Sequence, residues 1–366
     1  MGLKLEKRLG KNKIPDKISL EFENLVTSIP DIGYEWHKKD LLINAKLNKD
    51  YIKKSSKELP GINKIKKDSC IIISAGPSVH KQKSITKILD SNYTGTIIAV
   101  DGSYVACLKA GLYPDYVITM DPHPTRVVRW FGDPDFDKNT LNDDYYARDD
   151  YFSRQDLDLD FRENSISHNK ETIDLVDKYS HRSKLLISST SSSTVVNRVI
   201  KTNFNEIYWY NPLVDNPDNN NSITRKLWDL NKLQCINTGG TVGTVSWVIA
   251  TTNFKINTIG LVGMDFGYHN EIPFKDTQTY YELIDYVGQD IDFNKYFLFN
   301  KYPINGITYY TDPTYYWYKK NFLELIEKVP YVRTYNCTDG GTLVEDNIII
   351  VSLNDFLSKY KKKDIN

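Results

Sequence analysis

The sequence predicts an α/β protein built on a mostly parallel, Rossmann-like sheet with helices on both faces. Three observations predict it. Short apolar runs recur, beginning with Ile71–Ile73, Thr96–Val100 and Tyr116–Met120, as strands buried on both faces do. Helical stretches alternate with them, as crossovers between parallel strands require. Each run stops at a small or acidic polar cluster: Ser74-Ala75-Gly76-Pro77-Ser78, then Asp101-Gly102-Ser103, then Asp121-Pro122-His123. In an open parallel sheet such stops fall on one edge, where ligands bind.

Composition bounds the function. The chain has 366 residues, more than one compact core usually holds, so one main α/β domain with additions, or two lobes, is expected. Lysine plus arginine equals aspartate plus glutamate at 47 each, which argues against a nucleic-acid binder driven by bulk charge. Cys70, Cys107, Cys235 and Cys337 form no CxxC pair and read as reduced, mostly buried thiols. The N-terminus lacks the apolar core of a signal peptide, and no run is long enough to span a membrane. A soluble cytoplasmic protein is the expectation.

In chain order, residues 1–67 read as a small helical extension, with helical patterns around Ile18–Val26 and Leu41–Ile52. Residues 68–360 form the main domain, and 361–366 a lysine-rich tail. The first strand, Cys70–Ile73, leads through the glycine-proline turn into a helix near Ile85–Leu89. Glycine lets a ligand approach the backbone, and proline stiffens the turn. After Asp121 comes a dense stretch holding His123, Arg126, Arg129 and Trp130. Arginines beyond a strand end can fork a phosphate or carboxylate, or simply coat a helix. Residues of about 137–182 are acidic and weakly periodic. They read as an insertion, loop or lid whose carboxylates show no metal-ligand spacing.

Regular structure resumes with a strand at Lys184–Ser189 and a helix from the serine run to Val199. A strand at Glu206–Tyr210 and a helix at Ile223–Leu233 follow. Next, a short strand at Gln234–Asn237 enters Thr238-Gly239-Gly240-Thr241-Val242-Gly243 and a helix to Thr252. A glycine-rich helix entry can cradle phosphate, though neither a Walker A loop nor GxGxxG spacing is present. The strand Ile256–Val262 ends in Gly263-Met264-Asp265-Phe266-Gly267-Tyr268-His269. Residues of about 270–310 are aromatic and irregular, a second insertion. A helix at Pro313–Val329, strands at Arg333–Asn336 and Asn347–Val351 and a helix at Leu353–Tyr360 complete the chain. The aromatic helix leaves room for a homo-oligomer.

These motifs in this order resemble two related families. The Ser74–Ser78 turn is similar to the glycine-proline-serine loop of the bacterial motility-associated-factor (Maf) glycosyltransferases and of the 6-hydroxymethylpterin diphosphokinase MptE-like proteins. The likeness continues through Val100–Ser103, Gly111–Asp115 and Ile118–Asp121. It resumes at Gly239–Val242, Gly263–Gly267 and Asn336–Gly341. The resemblance implies a sialyltransferase-like α/β domain and a nucleotide-dependent transferase.

Its two branches imply different chemistry. The glycosyltransferase branch implies transfer of a nonulosonic, sialic-like acid from a CMP-type donor to a glycan or protein acceptor, with no required cofactor. The pterin branch implies pyrophosphoryl transfer from ATP with Mg²⁺ held by paired aspartates. Here Thr119-Met120-Asp121-Pro122-His123 lacks one aspartate of that branch's pattern. A third expectation is a binding protein for nucleotide or sugar that has lost catalysis. The implied catalytic candidates are Asp121, His123, Asp265, Tyr268 and His269. The implied nucleotide contacts are Ser74, Gly76, Pro77, Ser78, Asp101, Gly102, Ser103, Gly239, Gly240 and Thr241.

Overall fold

The computed structural model describes residues 18–60, 68–122, 127–136, 159–277, 279–288 and 292–360. Its centre is a ten-stranded sheet. The strands are β1 (Lys54–Ser55), β2 (Cys70–Ile73), β3 (Thr96–Val100), β4 (Tyr116–Thr119), β5 (Lys184–Ser188) and β6 (Ile207–Leu213). They continue with β7 (Cys235–Asn237), β8 (Thr258–Val262), β12 (Arg333–Asn336) and β13 (Ile349–Ile350). β9 (Tyr268–His269), β10 (Leu298–Lys301) and β11 (Thr308–Thr311) form a separate antiparallel sheet. The large-sheet order is β1-β6-β5-β4-β3-β2-β8-β12-β13, with β7 on β6, and every pairing in it is parallel.

Side chains alternate across this sheet, and both faces are covered. Cys70 and Ile72 join one core with Ile98, Ile118, Trp247 and Phe322; Ile71 and Ile73 join the opposite one with Ala99, Val262 and Phe356. Each buried isoleucine of β2 stabilises the fold by roughly 1.5–3 kcal/mol. The helices are α1 (Leu20–Asn48), α2 (Ser78–Lys81), α3 (Ser84–Asp90), α4 (Asp101–Lys109), α5 (Leu159–Tyr179) and α6 (Ser193–Ile200). They continue with α7 (Ile223–Asn231), α8 (Val242–Thr252), α9 (Tyr280–Val287), α10 (Pro313–Glu327) and α11 (Leu353–Tyr360). Among the described residues, no helix is long and apolar enough to cross a membrane.

Three segments differ from the sequence reading. The two helical patterns at the N-terminus are one helix, α1, that runs through Pro30. Pro30 lacks a donor and normally breaks a helix; here packing on α7 and α10 holds the turns on either side. The acidic stretch becomes the 21-residue α5 from Leu159 onward, and its part at 137–158 lies outside the described residues. The second irregular stretch holds α9 and the small antiparallel sheet. Its core is Tyr268, Leu283, Phe297 and Tyr310.

Candidate functional site

Among the described residues the strand order reverses at β2. From β2 the chain adds β3, β4, β5 and β6 in one direction, whereas β8 and β12 lie on the other side of β2. Open parallel sheets bind ligands at such a reversal, outside the carboxyl ends of the strands. The glycine-proline-serine turn follows β2 and the glycine-methionine-aspartate turn follows β8, so the topology places both there.

The two turns are fastened together. Ser74 N donates to Val262 O at 2.8 Å, and Gly76 N to Gly263 O at 2.9 Å. Asp265 accepts from Ser78 N at 3.0 Å and from Ser78 Oγ at 2.5 Å. A third turn joins them, since Thr342 N donates to Asp265 O at 2.8 Å. The glycines make this approach possible. A Cβ on Gly76 would stand 2.4 Å from Gly263 O, and one on Gly341 2.7 Å from Asp265 O.

Asp265 is buried, which pushes its carboxyl up to about 6 against the pull of the two Ser78 hydrogen bonds. Beside the junction, Asp101 opens α4. Its oxygens accept from Gly102 N and Thr119 Oγ1, both at 2.7 Å. Burial, with a smaller repulsion from Asp121, pushes Asp101 up to about 7, although the Thr119 and Gly102 bonds oppose that rise. Gly102 lies against Ala75 and the indole of Trp130. Ser103 turns inward and donates to Ile73 O at 2.7 Å, which makes it a strut between β2 and α4.

α8 supplies the next part. Gly239 and Gly240 take φ of +54° and +86°, and Thr241 caps α8 by accepting from Thr244 N at 3.1 Å. The helix starts beside β2: a Cβ on Gly243 would stand 2.9 Å from Ser74 Oγ. The rings of Trp317 and Tyr318 on α10 crowd Gly240. Free N–H groups at a helix start favour an anion.

The structure therefore brings together Ser74, Gly76, Pro77, Ser78, Asp265, Asp101, Gly102, Ser103 and Asp121 at the reversal, with Gly239, Gly240 and Thr241 flanking them. Tyr268 and His269 lie on β9, in the small sheet. Tyr268 belongs to the core of the small sheet, where burial pushes its hydroxyl well above the usual tyrosine range. His269 Nδ1 accepts from Glu271 N at 3.2 Å and lies 3.3 Å from the Glu271 carboxylate. His123 lies outside the described residues.

Two contributors escaped the sequence reading. Asn44 Nδ2 donates to Pro122 O at 3.3 Å and Thr190 O at 3.0 Å. Asn48 Nδ2 donates to Ser189 O at 2.9 Å and Ser191 O at 2.7 Å. α1 thus clamps the loops that follow β4 and β5. The available signal was two asparagines four apart, in phase with the buried Leu41 and Ala45.

Residues 40–135 match the family described as 6-hydroxymethylpterin diphosphokinase MptE-like. Over that stretch the chain is similar to the MptE-like family. The matched stretch carries the two asparagines of α1, Ser74–Ser78, Asp101–Ser103 and Asp121. An uncharacterized protein of Treponema pallidum (strain Nichols) is 39% identical over 79 residues, 22% of this chain and 36% of that protein. A Maf glycosyltransferase from Magnetospirillum magneticum AMB-1 has the same fold, at TM-score 0.51 and 15% identity, over 87% of this chain and 38% of that one. The chain thus spans little more than a third of either relative. The family match and the shared fold support the MptE-like/Maf superfamily resemblance.

The raised aspartates give a pH prediction. An acid whose folded value exceeds its unfolded one lends stability that is full below the unfolded value and lost as pH rises through the folded one. For Asp101 that window runs from its ordinary 3.8 to about 7. Stability is expected to fall by a few kcal/mol between pH 4 and pH 8. Asp101→Asn should flatten part of that fall, measured as urea midpoints across the range. An unchanged slope in the variant would mean that Asp101 is not held protonated.

Proposed function

We propose that the chain is a nucleotide-dependent transferase that binds its donor at the β2–β8 reversal. One observation carries this reading: among the described residues, the strand order of the large sheet reverses between the strands that carry the two glycine turns, with α8 starting beside it. The Ser74–Ser78 turn would meet the nucleotide, and the first turn of α8 its phosphate. Asp121, half-buried at the end of β4, is the carboxylate nearest the reacting groups in this reading.

Sugar transfer from a CMP-type donor to a glycan or protein acceptor is preferred to pyrophosphoryl transfer. A Mg²⁺ clamp needs carboxylates turned toward the ligand. Asp101 and Asp265 instead turn inward to Gly102, Thr119 and Ser78, and burial favours their neutral forms. This donor set fits a metal clamp poorly. The family description favours the diphosphokinase as the second reading.

Calorimetric titration with CMP, UDP, GDP, AMP and ATP, each with and without Mg²⁺, separates the two. CMP binding that does not need the metal is the expected result, and CMP-nonulosonates would then be tested as donors. Binding of ATP or AMP only with Mg²⁺ would shift the reading to pyrophosphoryl transfer. Binding of no nucleotide would overturn both.

A further inference from the structure

A groove of ≈ 560 Å³ opens between the end of β6, the start of β7 and α7. Its volume is typical of small-molecule sites, which run from about 300 to 1,000 Å³. Leu213, Pro217, Trp228 and Cys235 give it apolar lining, while Arg225 and Asp229 add one charge of each sign. Trp228 keeps 44% of its surface exposed, although an indole gains by being covered. One face of the ring is covered by a lysine. Lys232 Nζ stands 3.7 Å from its centre and donates to Asp229 at 3.0 Å.

The charges select the ligand. Arg225 donates through Nε to Pro217 O at 2.7 Å and faces Asp218 at 3.7 Å. Lys232 faces Asp229. Each cation already has its carboxylate, so a phosphate finds no surplus positive field here. The groove is open and mostly apolar, with Thr224, Arg225 and Asp229 as its polar groups. A neutral ring with one apolar face and a hydroxylated edge matches an indole beside paired polar groups.

The position adds a role. Leu213 ends β6 and pairs with Asn237, the last residue of β7, from which Gly239, Gly240 and Thr241 lead into α8. The groove therefore lies on the carboxyl edge of the sheet, along from the β2–β8 reversal. We infer that it is a carbohydrate subsite in which a neutral sugar ring stacks on Trp228. Sugar binding stands on the groove alone; its use as the acceptor subsite rests on the proposed sugar transfer.

The test is titration of the chain with maltotriose, lactose and N,N′-diacetylchitobiose, followed by tryptophan fluorescence and saturation-transfer NMR. Saturable binding of at least one sugar is expected, weakened about tenfold or more in Trp228→Ala and largely kept in Trp228→Tyr. Circular dichroism checks that both variants fold. Absence of binding by all three sugars, or equal binding by Trp228→Ala, would overturn the inference. The CMP titration is scored separately, so a chain that binds sugar and no nucleotide keeps this subsite while losing the transferase reading.

Discussion

Replacing Gly263 with alanine is expected to destabilise the fold by about 3 kcal/mol or more. Gly263 has φ +71°, a conformation that strains other residues by roughly 1–2 kcal/mol. Its Cβ would also stand 2.3 Å from Val79 Cγ2 and 2.7 Å from Ser74 O. The valine methyl can turn away. The carbonyl is less free, because the amides on either side of it, Ser74 N and Gly76 N, are bonded to Val262 O and Gly263 O. Gly111→Ala is the matched control, with φ +79° and nothing within 4 Å of the added methyl. It should show the strain alone, about 1 kcal/mol. Urea denaturation of the two variants measures the difference. Equal midpoints would mean that the β2 and β8 turns do not touch as described.

Asp265→Ala is the second large effect. It leaves Ser78 N and Ser78 Oγ buried without their acceptor, at about 1–3 kcal/mol for each orphaned donor. The turn between β2 and α2 would loosen, and nucleotide affinity should fall with stability. Asp265→Asn keeps the shape and one carbonyl acceptor, and its amide can donate to the serine hydroxyl. It also removes the cost of ionising a buried acid above pH 6. Its loss at pH 8 should be about 1 kcal/mol or less. A double-mutant cycle with Ser78→Ala is expected to show strong coupling. Additive losses would show that the carboxylate acts elsewhere.

Most of the large sheet was legible because it is buried on both faces. Ile71–Ile73, Leu185–Ile187 and Ile259–Val262 are continuous apolar runs bounded by polar turns, and such runs announce central strands. The small sheet was not legible. Its strand β11 reads Thr-Tyr-Tyr-Thr, and tyrosine serves equally in core, loop and helix. α1 read as two helical patterns, because the contacts that hold it through Pro30 lie hundreds of residues away on α7 and α10. Ser74, Gly76, Asp101 and Asp265 were marked as candidates by their strand ends, with their roles implied by the resemblance. Which of them hold the protein together required geometry: Ser103 and Ser78 point into the fold, and nothing in their spacing says so. Tyr268 and His269 follow the same strand end as Asp265, yet the chain turns between them and carries both onto a different sheet.

The place of β2 has a consequence for how the chain is made. Among the described residues it is the first strand of the large sheet longer than two residues, and β3 covers one edge of it almost at once. The other edge pairs with β8, which is synthesised roughly 190 residues later, about 10–40 s at ordinary elongation rates. Through that interval an all-apolar strand shows an open row of backbone donors and acceptors, the kind of edge that recruits other nascent chains. Aggregation during expression should therefore be governed by how quickly residues up to Val262 emerge, and a chain ending before β8 would expose that edge permanently.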